Sequence, residues 1–193
     1  SKYQQESFSV TEITLPDTSY FVSLAPSDYV DYENNEFHYY YSSPNRPLAI
    51  YKANAIKNTS SKVWQKIVNN FNEDDYVVER TFNEVIDGTM VPATTVYKAD
   101  KSLNRPILFY GYGSYGINRE ASFSESILPL INKGFIFVYL NIRGGAEMGK
   151  EWYEQGRMLN KMNSFYDFND SVEAILNKGY DDKNNVFAEG GSA

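Results

Sequence analysis

The feature that most constrains the fold is the apolar run at residues 135–142, which only Asn141 interrupts. A strand that is apolar on both faces has to be covered on both sides, as the central strands of α/β proteins are. A helical pattern follows at residues 165–178, with Phe168 and Ile175 on its apolar face. The succession of a buried strand and an amphipathic helix predicts an α/β fold with a parallel sheet.

The pattern changes character near residue 75. After it, further strands are predicted at residues 76–82, 91–98, 107–110 and 185–188. A helical pattern covers residues 123–133, and Pro129 indicates that the regular helix begins near Ile127. Asp87-Gly88 predicts a hairpin turn between the first two of these strands. Before residue 75, short alternating segments at 20–24, 36–42, 48–52 and 63–68 are separated by turn residues. They indicate an antiparallel meander, as in a sandwich, a barrel or a propeller blade.

Composition excludes several classes of function. The formal net charge is −7, which argues against nucleic acid or an anionic membrane as the main partner. No run of 18 apolar residues occurs, so no membrane span is predicted. The absence of cysteine excludes disulfides and cysteine-based metal sites and suits a reducing compartment, so a cytoplasmic location is expected. No cofactor or metal is expected.

Glycine-rich loops follow three of the predicted strands. They are Tyr110-Gly111-Tyr112-Gly113, Arg143-Gly144-Gly145 and Gly190-Gly191-Ser192-Ala193. Because the carboxyl ends of parallel strands meet at one edge of a sheet, the three loops are expected to converge. Gly190 and Ser192 then match the first part of a G-x-S-x-G nucleophile elbow, although a flexible tail would have the same letters.

Two loop interpretations stay open. Gly111, Gly113 and Gly116 also fit the G-x-G-x-x-G dinucleotide fingerprint, but two tyrosines stand where a pyrophosphate needs close backbone approach. An oxyanion site is favoured over dinucleotide binding and over a plain tight turn. In the second loop Arg143 and Glu147 are available to pair, which favours a structural role.

Two further expectations concern local contacts. Ser164 and Asp167 suit the first turn of the 165–178 helix, where they resemble a capping box. The strand at 185–188 is expected at a sheet edge, through which the chain can self-associate.

These motifs together resemble the prolyl oligopeptidase family of serine peptidases, in particular its oligopeptidase B (protease II) branch. The residues that carry the resemblance are Tyr110–Gly116, Asn141–Gly149, Trp152-Tyr153-Glu154, Asn160-Lys161, Phe165–Phe168 and Gly190–Ala193. The resemblance implies an α/β-hydrolase domain capped by a β-propeller. Residues 1–72 would be the C-terminal part of the propeller, and residues 73–193 the first half of the hydrolase domain, ending after the nucleophile.

The same resemblance implies roles for individual residues. Ser192 would be the nucleophile, and the Tyr112 hydroxyl and the backbone N–H of Ala193 would bind the oxyanion. Glu120 would contact a basic side chain of a short peptide substrate, cleaved after Arg or Lys. The only histidine, His38, precedes the serine, whereas the triad order of α/β-hydrolases places it after. We therefore expect the 193-residue chain by itself to be inactive.

The sequence departs from the family pattern at two places. Ala146 replaces a usual glycine, and Ser122 replaces the second acidic residue of some oligopeptidase B enzymes, with Arg119 beside Glu120. These departures weaken the expected preference for basic residues. Two other functions stay open, an α/β-hydrolase esterase and a non-catalytic propeller-type binding module.

Overall fold

The computed structural model describes residue 10 and residues 12–26, 35–99, 105–179 and 185–192. The strands are β1 Phe21–Leu24, β2 Glu36–Ser43, β3 Arg46–Asn54, β4 Thr59–Gln65, β5 Tyr76–Glu84, β6 Met90–Lys98, β7 Ile107–Gly111, β8 Ile136–Leu140 and β9 Val186–Glu189. The α-helices are α1 Leu128–Asn132, α2 Lys150–Glu154 and α3 Met162–Asn177, with short 3-10 turns at Glu73–Asp75 and Met158–Asn160. None of the helices in these ranges has the length and apolar character that crossing a membrane requires.

The first sheet is the predicted antiparallel meander, in the order β1-β2-β3-β4. Tyr39, Tyr41 and Ala53 form its buried centre. Strand β4 begins earlier than predicted, because its first residues, Thr59-Ser60-Ser61-Lys62, are polar. The strand pairs with β3 along an exposed edge, where backbone hydrogen bonds suffice and no apolar alternation is needed.

The second sheet has the order β5-β6-β8-β7-β9 and is mixed rather than parallel. β5 and β6 form the predicted hairpin, and β6 pairs antiparallel with β8. Only β8, β7 and β9 run parallel. The predicted α/β class is therefore correct, but the prediction of a parallel sheet is wrong at β8, which has a parallel neighbour on one side only.

Strand β8 is buried along its whole length, as its apolar run predicts. Ile136, Val138 and Leu140 face one side of the sheet, where they share a core with Ile175 of α3. Phe137 and Tyr139 face the other side, in a second core near α1. The two cores explain why polar alternation is missing from this strand.

A buried ion pair anchors α3 to the sheet. The guanidinium of Arg143 contacts Asp167 through Nη2 at 2.6 Å and through Nε at 3.0 and 3.1 Å, and the Arg143 backbone N–H donates to the same carboxylate at 2.8 Å. Both side chains are at least 96% buried. Arg143 Nη1 also donates to Asp87 at 2.7 Å, so the β5–β6 hairpin joins the cluster. Hydrogen bonding by Thr89 and the nearby guanidinium lower the pKa of Asp87 to about 2.

This cluster corrects two local predictions. Helix α3 begins at Met162 without a side-chain cap, so Ser164 and Asp167 do not form a capping box. Asp167 instead binds Arg143, and Ser164 donates to the Arg143 carbonyl at 2.6 Å. Arg143 does not pair with Glu147, whose carboxylate accepts from the Arg119 N–H at 2.9 Å. The partners of these polar side chains are therefore determined by tertiary contacts and not by their neighbours in the sequence.

Polar contacts join the two sheets, and an aromatic pair lies where the segment after β4 enters β5. The Phe123 N–H donates to Ser42 at 2.9 Å, and the Ser19 and Thr94 hydroxyls lie 3.1 Å apart. The ring of Phe71 stacks on Tyr76 of β5 with centroids 4.9 Å apart.

Strand β9 lies at the edge of the second sheet, where β7 is its only partner among the described strands. The ring of Phe187 is half exposed there and contacts Phe135. This placement agrees with the expected edge strand. Self-association through that edge stays a prediction.

The buried pair predicts a large effect for Asp167→Ala. The substitution leaves the Arg143 charge buried without its main partner, which lowers the free energy of unfolding by about 3–5 kcal/mol. Urea unfolding of the protein, followed by circular dichroism, measures the change. Glu154→Ala is the matched control, because Glu154 and Arg157 form an exposed pair at 2.7 Å, and such pairs contribute little to stability. Equal losses in both variants would contradict the anchoring role.

Candidate active site

The predicted convergence of three loops is confirmed. Strands β7, β8 and β9 run parallel, so the chain leaves all three at the same edge of the sheet. The glycine-rich loops after Gly111, Leu140 and Glu189 therefore lie together. The dinucleotide interpretation fails, because that fingerprint opens the helix that follows the loop, whereas the next α-helix after Gly116 begins only at Leu128.

Ser192 follows β9 in a strained backbone conformation. Its φ is +70°, in the left-handed region, which costs a residue with a side chain about 1–3 kcal/mol. A nucleophile elbow forces its serine into a sharp turn of this kind, with the hydroxyl projecting from the sheet. The side chain of Ser192 is exposed. A flexible tail gives no physical reason for such a conformation.

The glycine at position 190 is required by a close approach. A Cβ built there would lie 2.7 Å from the carbonyl oxygen of Gly111. The turn after β9 therefore passes directly over the end of β7. This contact brings the serine-bearing turn beside the loop that carries Tyr112.

Tyr112 lies in the wall of a pocket of about 350 Å³. The pocket is mainly apolar and lies between the β7 and β9 loops and the start of α3. It is lined by Gly111, Tyr112, Ile142, Lys161, Ser164, Phe165, Phe168, Ala188, Glu189, Gly190 and Gly191. The structure thus brings Tyr112 together with the two residues that precede Ser192. Ala193 lies outside the described residues, so its N–H stays a predicted donor.

Glu120 lines a different cleft, of about 380 Å³, between β1 and the second sheet. Its side chain is exposed, and none of the described residues forms an ion pair with it. The guanidinium of Arg119 lies over the ring of Tyr110 at 4.8 Å and turns toward the sheet. Arg80 and Glu147 complete the charged lining of this cleft, and burial lowers the pKa of Arg80.

Two site residues escaped sequence reasoning. Lys161 and Ser164, at the start of α3, reach the glycine loops: Lys161 Nζ donates to the Gly113 carbonyl at 2.8 Å, and Ser164 donates to the Arg143 carbonyl. Lys161 belongs to the quoted family motif, but its contact partners lie nearly 50 residues away in the chain. No group of three His, Cys, Asp or Glu side chains in the described ranges could hold a metal.

Comparison with known proteins agrees with this geometry. The model of the prolyl oligopeptidase family matches residues 121–193. Dipeptidyl aminopeptidase BI from Pseudoxanthomonas mexicana is 37% identical over 158 residues, which are 80% of this chain and 22% of that protein. The chain belongs to the prolyl oligopeptidase family.

Other members show the same relation. Protease 2 from Moraxella lacunata is 44% identical over 108 residues, or 55% of this chain and 16% of that protein. The structure of oligopeptidase B from Leishmania major superposes with a TM-score of 0.81 at 32% identity, covering 92% of this chain and 25% of that one. The chain therefore spans about a fifth of the length of the curated relatives it matches.

The loops after β7 and β8 pack backbone against backbone at Gly144. This residue has φ +101°, and a Cβ there would overlap the Gly113 carbonyl oxygen. The Gly116 N–H donates to the Gly144 carbonyl at 2.9 Å and fixes the spacing of the two loops. Any side chain at Gly144 would therefore displace the loop that carries Tyr112.

Gly144→Ala is predicted to lower the free energy of unfolding by more than about 3 kcal/mol, because steric overlap adds to backbone strain. Gly134→Ala is the matched control: its φ is +93°, but a Cβ meets no atom within 4 Å. We expect only the strain of about 1–2 kcal/mol there. Urea unfolding of both variants separates overlap from strain, and similar losses would count against close packing at Gly144.

Proposed function

We propose that the chain is part of a serine oligopeptidase that hydrolyses short peptides through an acyl-enzyme intermediate. In this proposal residues 1–72 are the end of a β-propeller and residues 73–193 the first half of an α/β-hydrolase domain. The observation that carries it is the strained Ser192 at the end of β9, adjoining the pocket that Tyr112 lines. Membership of the prolyl oligopeptidase family supports the same reaction class.

In the proposed mechanism the Ser192 hydroxyl oxygen attacks the carbonyl carbon of the scissile peptide bond. Its proton passes to a histidine and then to the leaving amine, and the C–N bond breaks. The Tyr112 hydroxyl and the Ala193 N–H donate to the carbonyl oxygen, which carries the negative charge in the tetrahedral intermediate. Water then hydrolyses the ester bond to Ser192, with the histidine again transferring the proton.

The catalytic histidine cannot be His38, which lies on β2 in the other sheet, opposite Lys52. The proposal therefore assigns the triad Asp and His to other parts of the whole protein. The 193-residue chain by itself has no general base for Ser192 and is expected to be inactive. We also propose a cytoplasmic location for the whole protein, a reducing compartment that suits this cysteine-free segment.

The first prediction of this proposal concerns Ser192 and Tyr112 in the whole protein. Ser192→Ala abolishes peptide hydrolysis and covalent labelling by a fluorophosphonate, because the attacking oxygen is gone. Tyr112→Phe lowers kcat about 10²- to 10³-fold, as expected for the loss of one oxyanion donor. Steady-state kinetics with a fluorogenic peptide measures both effects.

The outcomes also separate the alternative functions. Full labelling of Ser192 with hydrolysis of esters but not peptides would favour an esterase. No labelling of the whole protein would favour a non-catalytic binding module. Turnover by the 193-residue chain alone would contradict the assignment of the base to another segment.

We further propose cleavage after Arg or Lys, with Glu120 contacting the basic side chain of the substrate. Two observations support it: the exposed Glu120 carboxylate borders an open cleft, and the charge of the neighbouring Arg119 is held against Tyr110. The acidic net charge favours cationic peptides as well. Ser122 in place of a second carboxylate makes this contact a single ion pair.

Glu120→Gln therefore raises KM for an Arg peptide about fivefold in the whole protein, because an exposed ion pair contributes at most about 1 kcal/mol. The kcat for that peptide stays unchanged, as do both constants for the weaker cleavage of a matched peptide with Leu in place of Arg. Glu151→Gln, on the exposed face of α2, is the control. An equal KM increase for all peptides would argue against charge recognition by Glu120.

A further inference from the structure

Lys161 lies immediately before α3 and points back into the Tyr112 loop. Its Nζ donates to the carbonyl oxygen of Gly113 at 2.8 Å and to the hydroxyl oxygen of Ser114 at 2.5 Å. Gly113 and Ser114 are the two residues that follow Tyr112 in the chain. The lysine therefore holds the loop directly beside the tyrosine.

The ammonium group is in an environment that makes these bonds strong. Lys161 is half-buried and lines the same pocket as Tyr112 and Gly190. Charge-assisted hydrogen bonds are stronger than neutral ones, so the short bonds of the ammonium group hold the loop firmly. Ser164, the other donor near the Gly113 carbonyl, is 3.4 Å from it and makes its short bond to the Arg143 carbonyl instead. Lys161 is thus the principal side-chain hydrogen-bond donor to the Gly113 carbonyl.

The backbone position of Lys161 is itself fixed. Helix α3, which begins one residue later, is anchored by the buried pair of Asp167 with Arg143. Tyr112 stands between Gly111 and Gly113, whose backbones pack against Phe168 and Ile142. The hydrogen bonds from Lys161 add a polar restraint that runs from α3 to the residues directly after Tyr112.

We propose that Lys161 is a positioning residue, which fixes the Gly113 peptide group so that the Tyr112 hydroxyl is aimed at the oxyanion. The inference rests on the proposed function, in which Tyr112 is an oxyanion donor. Lys161 itself contacts no reacting atom in this scheme. Because Lys161 acts only through Tyr112, substituting Lys161 should have little further effect on kcat once the Tyr112 hydroxyl is absent.

A double-mutant cycle in the whole protein tests this. Lys161→Met keeps the aliphatic length and removes the donors, and it lowers kcat about 10- to 100-fold, as expected for a misplaced catalytic group. KM for the same fluorogenic peptide changes less than about twofold, because substrate binding is untouched. In the Tyr112→Phe background the same substitution lowers kcat less than about twofold. Lys161→Arg, which keeps charge and donors, recovers most of the activity.

Lys150→Met is the matched control, since Lys150 is an exposed lysine at the start of α2, and it leaves kcat unchanged. Equal losses of kcat in the wild-type and Tyr112→Phe backgrounds would overturn the inference. A rise in KM alone would also overturn it, because the ammonium group would then bind the substrate directly. If Lys161→Met does not fold by circular dichroism, the cycle is run with Ser114→Ala, which removes one acceptor of the ammonium group, and additivity with Tyr112→Phe again overturns the inference. A wild-type kcat for Tyr112→Phe alone instead rejects the oxyanion assignment in the proposed function.

Discussion

The buried contact between Arg143 and Asp167 is the interaction on which the rest of the site depends. It joins the loop after β8 to α3, and through Asp87 it also reaches the β5–β6 hairpin. A buried charge is tolerated only when hydrogen bonds compensate its lost hydration, and here the carboxylate accepts from both the guanidinium and the backbone. The pair thereby fixes where α3 starts relative to the sheet edge. Lys161 and Ser164 at that start can then reach the glycine loops.

Close backbone packing is the second requirement of the site. Gly144 touches the Gly113 carbonyl, and Gly190 touches the Gly111 carbonyl, so two contacts between main chains bring three loops to one edge. Side chains would hold these loops further apart. The arrangement leaves a mainly apolar pocket beside Tyr112, with the strained Ser192 next to its rim. In the proposed function the oxyanion donors have to be in place before the substrate binds, and this close packing is consistent with that requirement.

Much of the fold could be predicted because its signals are local. The hydrophobic run of β8, the hairpin turn at Asp87-Gly88 and the periodicity of α3 each lie within one element, and all three are confirmed. The start of β4 was misplaced because an exposed strand needs no apolar pattern. The sheet was expected to be parallel, but β6 pairs antiparallel with β8. Strand order depends on which neighbours bury the most surface, and the hydrophobic pattern of one strand does not contain that information.

The sequence by itself determined the order of the strands and of helices α1 and α3, the glycines at the loop contacts and the serine after the last strand, but it did not predict helix α2. It also contained the ordered motifs of the prolyl oligopeptidase family. Only the tertiary structure decided that Arg143 binds Asp167 rather than Glu147, that Ser164 does not cap its helix, and that Lys161 restrains the loop of Tyr112. The physical reason is that hydrophobic periodicity is visible within one segment of the sequence. The hydrogen-bond partner of a polar side chain instead depends on which groups folding brings within about 3 Å of it.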